Sequence, residues 1–275
     1  MTRRGQASSQ DVGDDLKLAV TFGLDQPQRF LTAWLGPPSR EALNPAASDL
    51  PAALEEWHRQ ASRWDSPVMR QNRVPTRREM DGDMLLVGVE TQAVWLWGVR
   101  DGADNPLVWE RYNEPGAEWT QTQERLDEFL WHFTLVEVAL VGGRYGMGAN
   151  DVSPADVARF TSAWTALNVK PWRWPGPNQT LWTWDGLLAW TMVNDRPGSP
   201  VTDASAYSIF IGARSNHDLI HVDDAGIAWD ADTRNELLNA RHHMISHRPV
   251  GRLAAVILIH DAGSWWAAAG SSVRD

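Results

Sequence analysis

Residues alternate with a period of two along two neighbouring segments of the chain: Leu85, Val87 and Val89 with smaller residues, and Val94 and Leu96 with Trp95 and Trp97. A period of two residues is the spacing of a β-strand that buries one face. The polar step 90–92 separates the segments and predicts a turn, so the two strands form a hairpin. Trp95 and Trp97 share one face of the second strand, although alternation alone does not say which face is buried.

A helical spacing of apolar residues predicts three helices in the first half of the chain. The first begins at Asp25, a suitable N-cap, and ends at Gly36. The second opens at Pro51. The third covers Leu126 to Leu140, and the preceding Thr120-x-x-Gln123 fits a capping box for it.

The second half of the chain combines strand patterns with short helices. Ser153 precedes Pro154 and predicts a short helix that places Phe160 and Trp164 on one face. The glycine-rich stretch 142–148 lacks dinucleotide and Walker spacing, so we expect a flexible connector there. Four further strands are predicted at Trp172 and Trp174, Trp182 and Trp184, Leu187–Val193, and Ser208–Ile211.

Composition limits the compartment and the chemistry. The 275 residues include no cysteine, which excludes disulfides and thiolate chemistry and favours a reducing, cytoplasmic location. Residues 1–15 lack the apolar run of a signal peptide and are predicted to be a flexible tail. The most apolar stretch, Leu253–Ile259, is too short to span a membrane, so a soluble protein is expected.

Negative charge is concentrated in one part of the chain. Residues 79–137 contain 13 acidic and 3 basic residues and account for the whole net charge of −10, since the remainder has 22 of each sign. Such a segment repels phosphate backbones and attracts basic proteins, which argues against direct binding to nucleic acid. The alternative is a solvated face that only keeps the protein soluble.

The same region carries a set of motifs with a known counterpart. Glu90 and Gln92 close the hairpin, the strand ends in Trp97-Gly98, and Asn105-Pro106-Leu107-Val108 follows an acidic loop before a later Trp119. With the upstream Leu50-Pro51-x-x-Leu54-x-x-Trp57, this pattern resembles the SUKH superfamily, which more often has aspartate where this chain has Asn105. The resemblance covers residues 16–232. It implies an α+β fold, a mixed and mainly antiparallel twisted sheet flanked by helices, and leaves residues 233–275 as an extension of unknown role.

The resemblance also implies a function. Bacterial SUKH proteins are mostly immunity proteins that neutralise polymorphic toxins, often nucleases or deaminases. We therefore expect a non-enzymatic immunity protein, without cofactor or metal, that binds a basic cognate toxin; its oligomeric state stays open. The alternative is a general protein-interaction or regulatory scaffold of the same fold. The predicted partner-binding residues, with acidic side chains steering and aromatic ones packing, are Glu90, Gln92, Trp95, Trp97, Asp101, Asp104, Glu110 and Trp119.

Three other functions were weighed against this prediction. A hydrolase that uses serine and histidine stays open, although no Gly-x-Ser-x-Gly motif occurs. The pairs His217/His221 and His243/His247 have i, i+4 spacing, but neither has the glutamate of a His-Glu-x-x-His metal site. The spacing of four strand tryptophans also fits a sugar-stacking platform, but tryptophan at strand spacing is more often a core residue, and a core role is favoured. The four are Trp172, Trp174, Trp182 and Trp184.

Overall fold

The structure is a computed structural model that describes residues 25–43, 49–100, 102–142, 145–175, 178–194, 205–223 and 225–230. All of them fall within one compact unit of the chain. The predicted tail, 1–15, and the predicted extension, 233–275, lie outside the described residues. No helix within the described ranges has the length and apolar character needed to cross a membrane.

The first sheet confirms the predicted hairpin and extends it to five strands. All neighbouring strands are antiparallel and follow one another in chain order. The strands are β1 (Met80–Asp81), β2 (Met84–Val89), β3 (Trp95–Arg100), β4 (Leu107–Tyr112) and β5 (Thr120–Arg125). The capping box predicted at Thr120–Gln123 is wrong, because these residues form β5 and the next helix is capped at Arg125.

Three helices accompany this sheet at the predicted positions. They are α1 (Asp25–Leu35), α2 (Ala52–Ala61) and α3 (Leu126–Glu137), and α3 continues into one π-helical turn, Val138–Gly142. The inner face of α3 presents Phe129 and Phe133 to the sheet, and neither side chain is exposed. The α+β class with antiparallel sheet flanked by helices is therefore confirmed, although the strands form two sheets.

The second sheet has the strand order β6-β10-β9-β8-β7, again with antiparallel neighbours. Its central strand β9 is buried along its whole length because the strand is covered on both faces. The elements of this half are β6 (Tyr145–Val152), α4 (Pro154–Thr161), β7 (Thr165–Ala166), β8 (Thr180–Trp184), β9 (Leu187–Val193), β10 (Tyr207–Ala213) and α5 (Asn216–Asp223).

Two predictions for this half are wrong. Residues 145–148, expected in a connector, begin strand β6, where Gly146 and Gly148 pair with β10. A Cβ on Gly148 would lie 3.3 Å from Asp230, so the strand tolerates little bulk there. Trp172 and Trp174 lie outside any strand. They belong to an irregular segment that bends at residues 173–175, and both rings lie in the interior, with relative exposures of 3% and 5%.

That segment, residues 170–174, lies between β7 and β8 of the second sheet, packs against the first sheet, and is called the strap below. Trp97 of the first sheet contacts Trp172 and Trp174, with ring centroids 5.7 and 5.2 Å apart. Trp174 in turn stacks at 5.7 Å on Trp190 of the second sheet. The two tryptophans of the strap therefore connect the hydrophobic cores of the two sheets.

Candidate interaction surface

The two tryptophans predicted as contact residues are core residues in this structure. Trp95 and Trp97 are 1% and 0% exposed, respectively. Trp97 packs on α3 through Phe129 and Phe133. Both rings lie on one face of β3, as the alternation predicted, but that face packs on α3. The prediction that they contact a partner is therefore corrected.

Glu90, also predicted to contact a partner, instead organises the β2–β3 turn. Its buried carboxylate accepts hydrogen bonds from the backbone amides of Gln92, at 2.9 Å, and Val94, at 3.3 Å. Burial raises the pKa of Glu90, and these amide donors oppose that effect. The side chain is 2% exposed and has no surface for a partner, so its predicted role is corrected to a structural one.

A second buried glutamate is connected to the same turn through hydrogen bonds of Asn72. The Glu137 carboxylate at the end of α3 accepts from the backbone amides of Arg70, Gln71 and Asn72, and from the Asn72 side chain at 3.0 Å. Asn72 then accepts from the Thr91 amide at 3.2 Å. Burial raises the pKa of Glu137, opposed by its amide donors. The turn is thus tied to the helix through a buried carboxylate.

Glu110 is the third predicted contact residue that lies inside, with 3% exposure. One carboxylate oxygen accepts from the backbone amide of Arg173 in the strap at 3.2 Å, and the other has no hydrogen-bond partner. Burial raises its pKa to about 7, opposed by the backbone amide and the positive charge of Arg173 and assisted by the charge of Glu124. Its predicted contact with a partner is corrected: Glu110 holds the strap.

Glu124 and His132 form an enclosed acid–imidazole pair. His132 Nδ1 lies 3.0 Å from one Glu124 oxygen, and the Trp172 indole donates to the other at 2.6 Å. The imidazole also lies against the Trp172 ring, with centroids 3.8 Å apart. A general base needs access to a substrate, but Glu124 and His132 are each 2% exposed. Their geometry serves the attachment of the strap.

The outer face of the first sheet is filled largely by its own side chains. Trp119 lies over Gly98, where a Cβ would come within 3.0 Å of the indole ring. The Arg111 guanidinium lies 5.2 Å from the Trp119 ring centroid and bonds Asp81 at 2.6 Å. Trp119 is half-buried because it packs on Gly98 and Arg111, so only part of its side chain is accessible to a partner.

Among the exposed apolar residues of this sheet, two lie together at one end, whereas Met80 and Leu107 are exposed elsewhere on it. Val94 is 45% and Tyr112 is 38% exposed, and both flank the buried Trp95. The Tyr112 ring packs on Trp95 with centroids 4.3 Å apart. The segments that adjoin β3 and β4 are joined by Asn113, whose amide donates to Val94 O at 2.9 Å and whose side chain donates to Ala93 O at 2.8 Å.

Two exposed carboxylates lie in the loop that follows Tyr112. Glu114 and Glu118 lie in the β4–β5 loop, and neither side chain forms an ion pair with another described residue. Burial, assisted by the charge of Glu114, raises the pKa of Tyr112 and keeps the phenol protonated. We call the surface formed by Val94, Tyr112, Glu114 and Glu118 the acidic tip.

The remaining predicted contact residues are not brought to one place. Gln92 is exposed in the turn beside the acidic tip. Asp104 is exposed in the β3–β4 loop, at the opposite end of the same strands. Asp101 lies outside the described residues. The contact roles of Gln92, Asp104 and Trp119 stay predictions.

Burial also changes the electrostatic prediction. Four of the 13 acidic residues of the segment 79–137 are buried, and Glu79, Asp81 and Glu128 pair with basic side chains. The surface field is therefore weaker than the sequence total indicates, and it comes from a few exposed carboxylates at the two ends of the sheet. The buried residues are Glu90, Glu110, Glu124 and Glu137.

The structure also bears on the other functions considered from sequence. Among the described residues, no group of three or more potential ligands could hold a metal ion. His217 is exposed on α5, whereas His243 and His247 lie outside the described residues, as the side chain of His221 does. The alternative of a sugar-stacking platform of four tryptophans is excluded, because Trp172 and Trp174 are in the core, the role favoured from the sequence.

Sequence reasoning missed the residues that define the acidic tip. Tyr112, at the end of β4, had only its position before an Asn-Glu-Pro-Gly loop as a signal.

Comparison of the chain with known family models, curated proteins and solved structures finds no match.

Proposed function

We propose that this protein is a non-enzymatic binding protein that neutralises a basic toxin domain through the acidic tip, as an immunity protein of the cytoplasm. The observation that carries the proposal is an exposed apolar pair, Val94 and Tyr112, at the end of the sheet where β4 continues into a loop with two exposed carboxylates, Glu114 and Glu118. The resemblance to SUKH immunity proteins supports the choice of a toxin as the partner.

The chemistry of the tip fits a protein partner. Amphipathic aromatic side chains at the centre of a contact, with charges at the rim, are typical of residues that dominate binding energy. Tyr112 is supported from below by Trp95, so little side-chain freedom is lost when a partner covers it. Glu114 and Glu118 would pair with lysine or arginine, which nuclease domains carry to hold phosphate backbones.

The rigidity of the tip also supports recognition. The β2–β3 turn is fixed by Glu90 from within and by Asn72 from the side. Asn113 connects it to the second loop. A preorganised surface binds more tightly because fewer groups must be ordered on association.

The test is co-expression with the protein encoded by the adjacent reading frame, followed by binding kinetics of the purified pair. The expected results are rescue of growth and a complex whose association rate falls with added salt. Reversal of Glu114 and Glu118 to lysine should lower the association rate by about tenfold at low ionic strength, with a smaller effect at high salt. Continued killing on co-expression would contradict the immunity function.

A matched control separates local recognition from the overall field. Reversal of Asp83 and Asp104 to lysine changes the net charge by the same amount at the opposite end of the sheet, where both residues are exposed. If both double variants lower the association rate equally, the acidic tip is not the contact surface. Val94→Ser should act mainly on the dissociation rate, because it removes an apolar contact without changing charge.

A further inference from the structure

The second sheet carries an open cleft at the end of α4, which we call the aromatic cleft. Phe160, Trp164 and Trp184 form its wall, with adjacent ring centroids 4.9 and 5.7 Å apart. Val222 and Ala225, from the end of α5, line the same cleft. Its volume of about 320 Å³ lies at the lower end of the range for small-molecule sites, roughly 300–1,000 Å³.

The described residues cover the two tryptophans of the wall only in part. Trp164 and Trp184 are each half-buried, in contrast to Trp190, which is not exposed. The planes of these two half-buried rings are tilted by 43° to each other. Indole faces in such a setting provide stacking area at small cost in conformational entropy.

The rim of the cleft is polar but electrically balanced. Arg159 bonds Asp156 at 2.7 Å and lies 3.4 Å from the carbonyl oxygen of Gly226. The Ser162 hydroxyl donates to the Arg159 carbonyl at 2.8 Å and retains lone pairs as acceptors. An anionic ligand would have to compete with Asp156 for the guanidinium, so the cleft favours a neutral ligand.

These features define the chemistry of the ligand. A saturated ring with C–H groups on its faces and hydroxyls at its edge can stack on indole while the edge meets Arg159 and Ser162. A long alkyl chain would leave much of its surface in water, because the cleft is short and open to solvent. We propose that the aromatic cleft binds a neutral pyranose ring, stacked on Trp184 and Trp164, independently of the protein partner of the acidic tip.

Saturation-transfer NMR on the full chain tests this proposal. The probes are methyl β-D-glucopyranoside, methyl β-D-galactopyranoside and N,N′-diacetylchitobiose. We expect transfer to the ring C–H protons of at least one probe, and a loss of affinity of about tenfold in Trp184→Ala, as for other stacked rings. Trp184→Phe should retain part of the affinity because it keeps a stacking face.

Two further variants make the result specific. Trp182→Ala removes a half-buried tryptophan from the same strand that does not line the cleft, and should leave the affinity within about twofold. Ala163→Tyr adds a ring at an exposed cleft residue, leaves the core intact and should abolish binding. The proposal is overturned if no probe shows transfer, or if transfer is unchanged in Trp184→Ala and Ala163→Tyr.

Discussion

Replacement of Glu110 by glutamine should remove a pH dependence of stability that the buried carboxyl imposes. Burial raises the pKa of Glu110 to about 7 from its ordinary value of 4.5. A proton is therefore held more tightly in the folded than in the unfolded state. The stability that results is fully present below pH 4.5 and is lost as the pH rises through about 7.

The size of the effect follows from that difference. A shift of about 2.5 pH units corresponds to about 3.4 kcal/mol over the full range, of which about 2.5 kcal/mol falls between pH 5 and pH 8. Glutamine keeps an oxygen that can accept from the Arg173 amide. Any packing cost of the new amide group is the same at every pH, so the pH dependence of the difference between the two proteins isolates Glu110.

Urea unfolding of both proteins at several pH values between 5 and 8 measures this difference. We expect Glu110→Gln to gain about 2.5 kcal/mol relative to the wild type as the pH rises over that range. Glu118→Gln, at an exposed position, should follow the wild-type curve. A difference between Glu110→Gln and the wild type that does not change with pH would refute the assignment of a raised pKa to Glu110.

Three further variants test the structural roles of single residues. Glu137→Ala should cost about 3 kcal/mol or more in urea unfolding, since it leaves three backbone amides and the buried Asn72 side chain without their acceptor, whereas Glu79→Ala, at a surface ion pair, should cost less than about 1 kcal/mol. Gly98→Ala should cost about 1–3 kcal/mol through contact with the Trp119 ring, and a double-mutant cycle with Trp119→Ala should recover most of that cost; additive effects would contradict the contact. Ala93 has φ of 55°, so Ala93→Gly should raise the thermal unfolding temperature, and a fall would show that the turn is not strained.

Much of the fold could be predicted because local patterns and tertiary packing agree. The spacing of apolar residues gave α1, the β2–β3 hairpin and β9 close to their observed bounds. Packing overrode local signals elsewhere. Thr120-x-x-Gln123 has the composition of a helix start, yet the residues pair with β4 as the edge strand β5. The glycines of β6 suggested a connector, although β10 requires small residues beside it.

The candidate surface was less predictable because burial is a property of the whole fold. An acidic residue in a hairpin appears the same in sequence whether it faces water, as Glu114 does, or accepts backbone amides from within, as Glu90 does. The exposed apolar pair, Val94 and Tyr112, is brought together by the pairing of β3 with β4, and Asn113 adds two hydrogen bonds between the adjoining segments.

The strap has a consequence for how this chain could be divided or recombined. Trp172 and Trp174 belong to the second half of the sequence, yet they complete the interior of the first sheet around Trp97. A fragment that stops after α3 would expose the side of Trp97 that these two rings cover, and Glu124 would lose its Trp172 donor. The halves are therefore not exchangeable modules. If they are produced as separate polypeptides, each should become ordered only when the other is supplied.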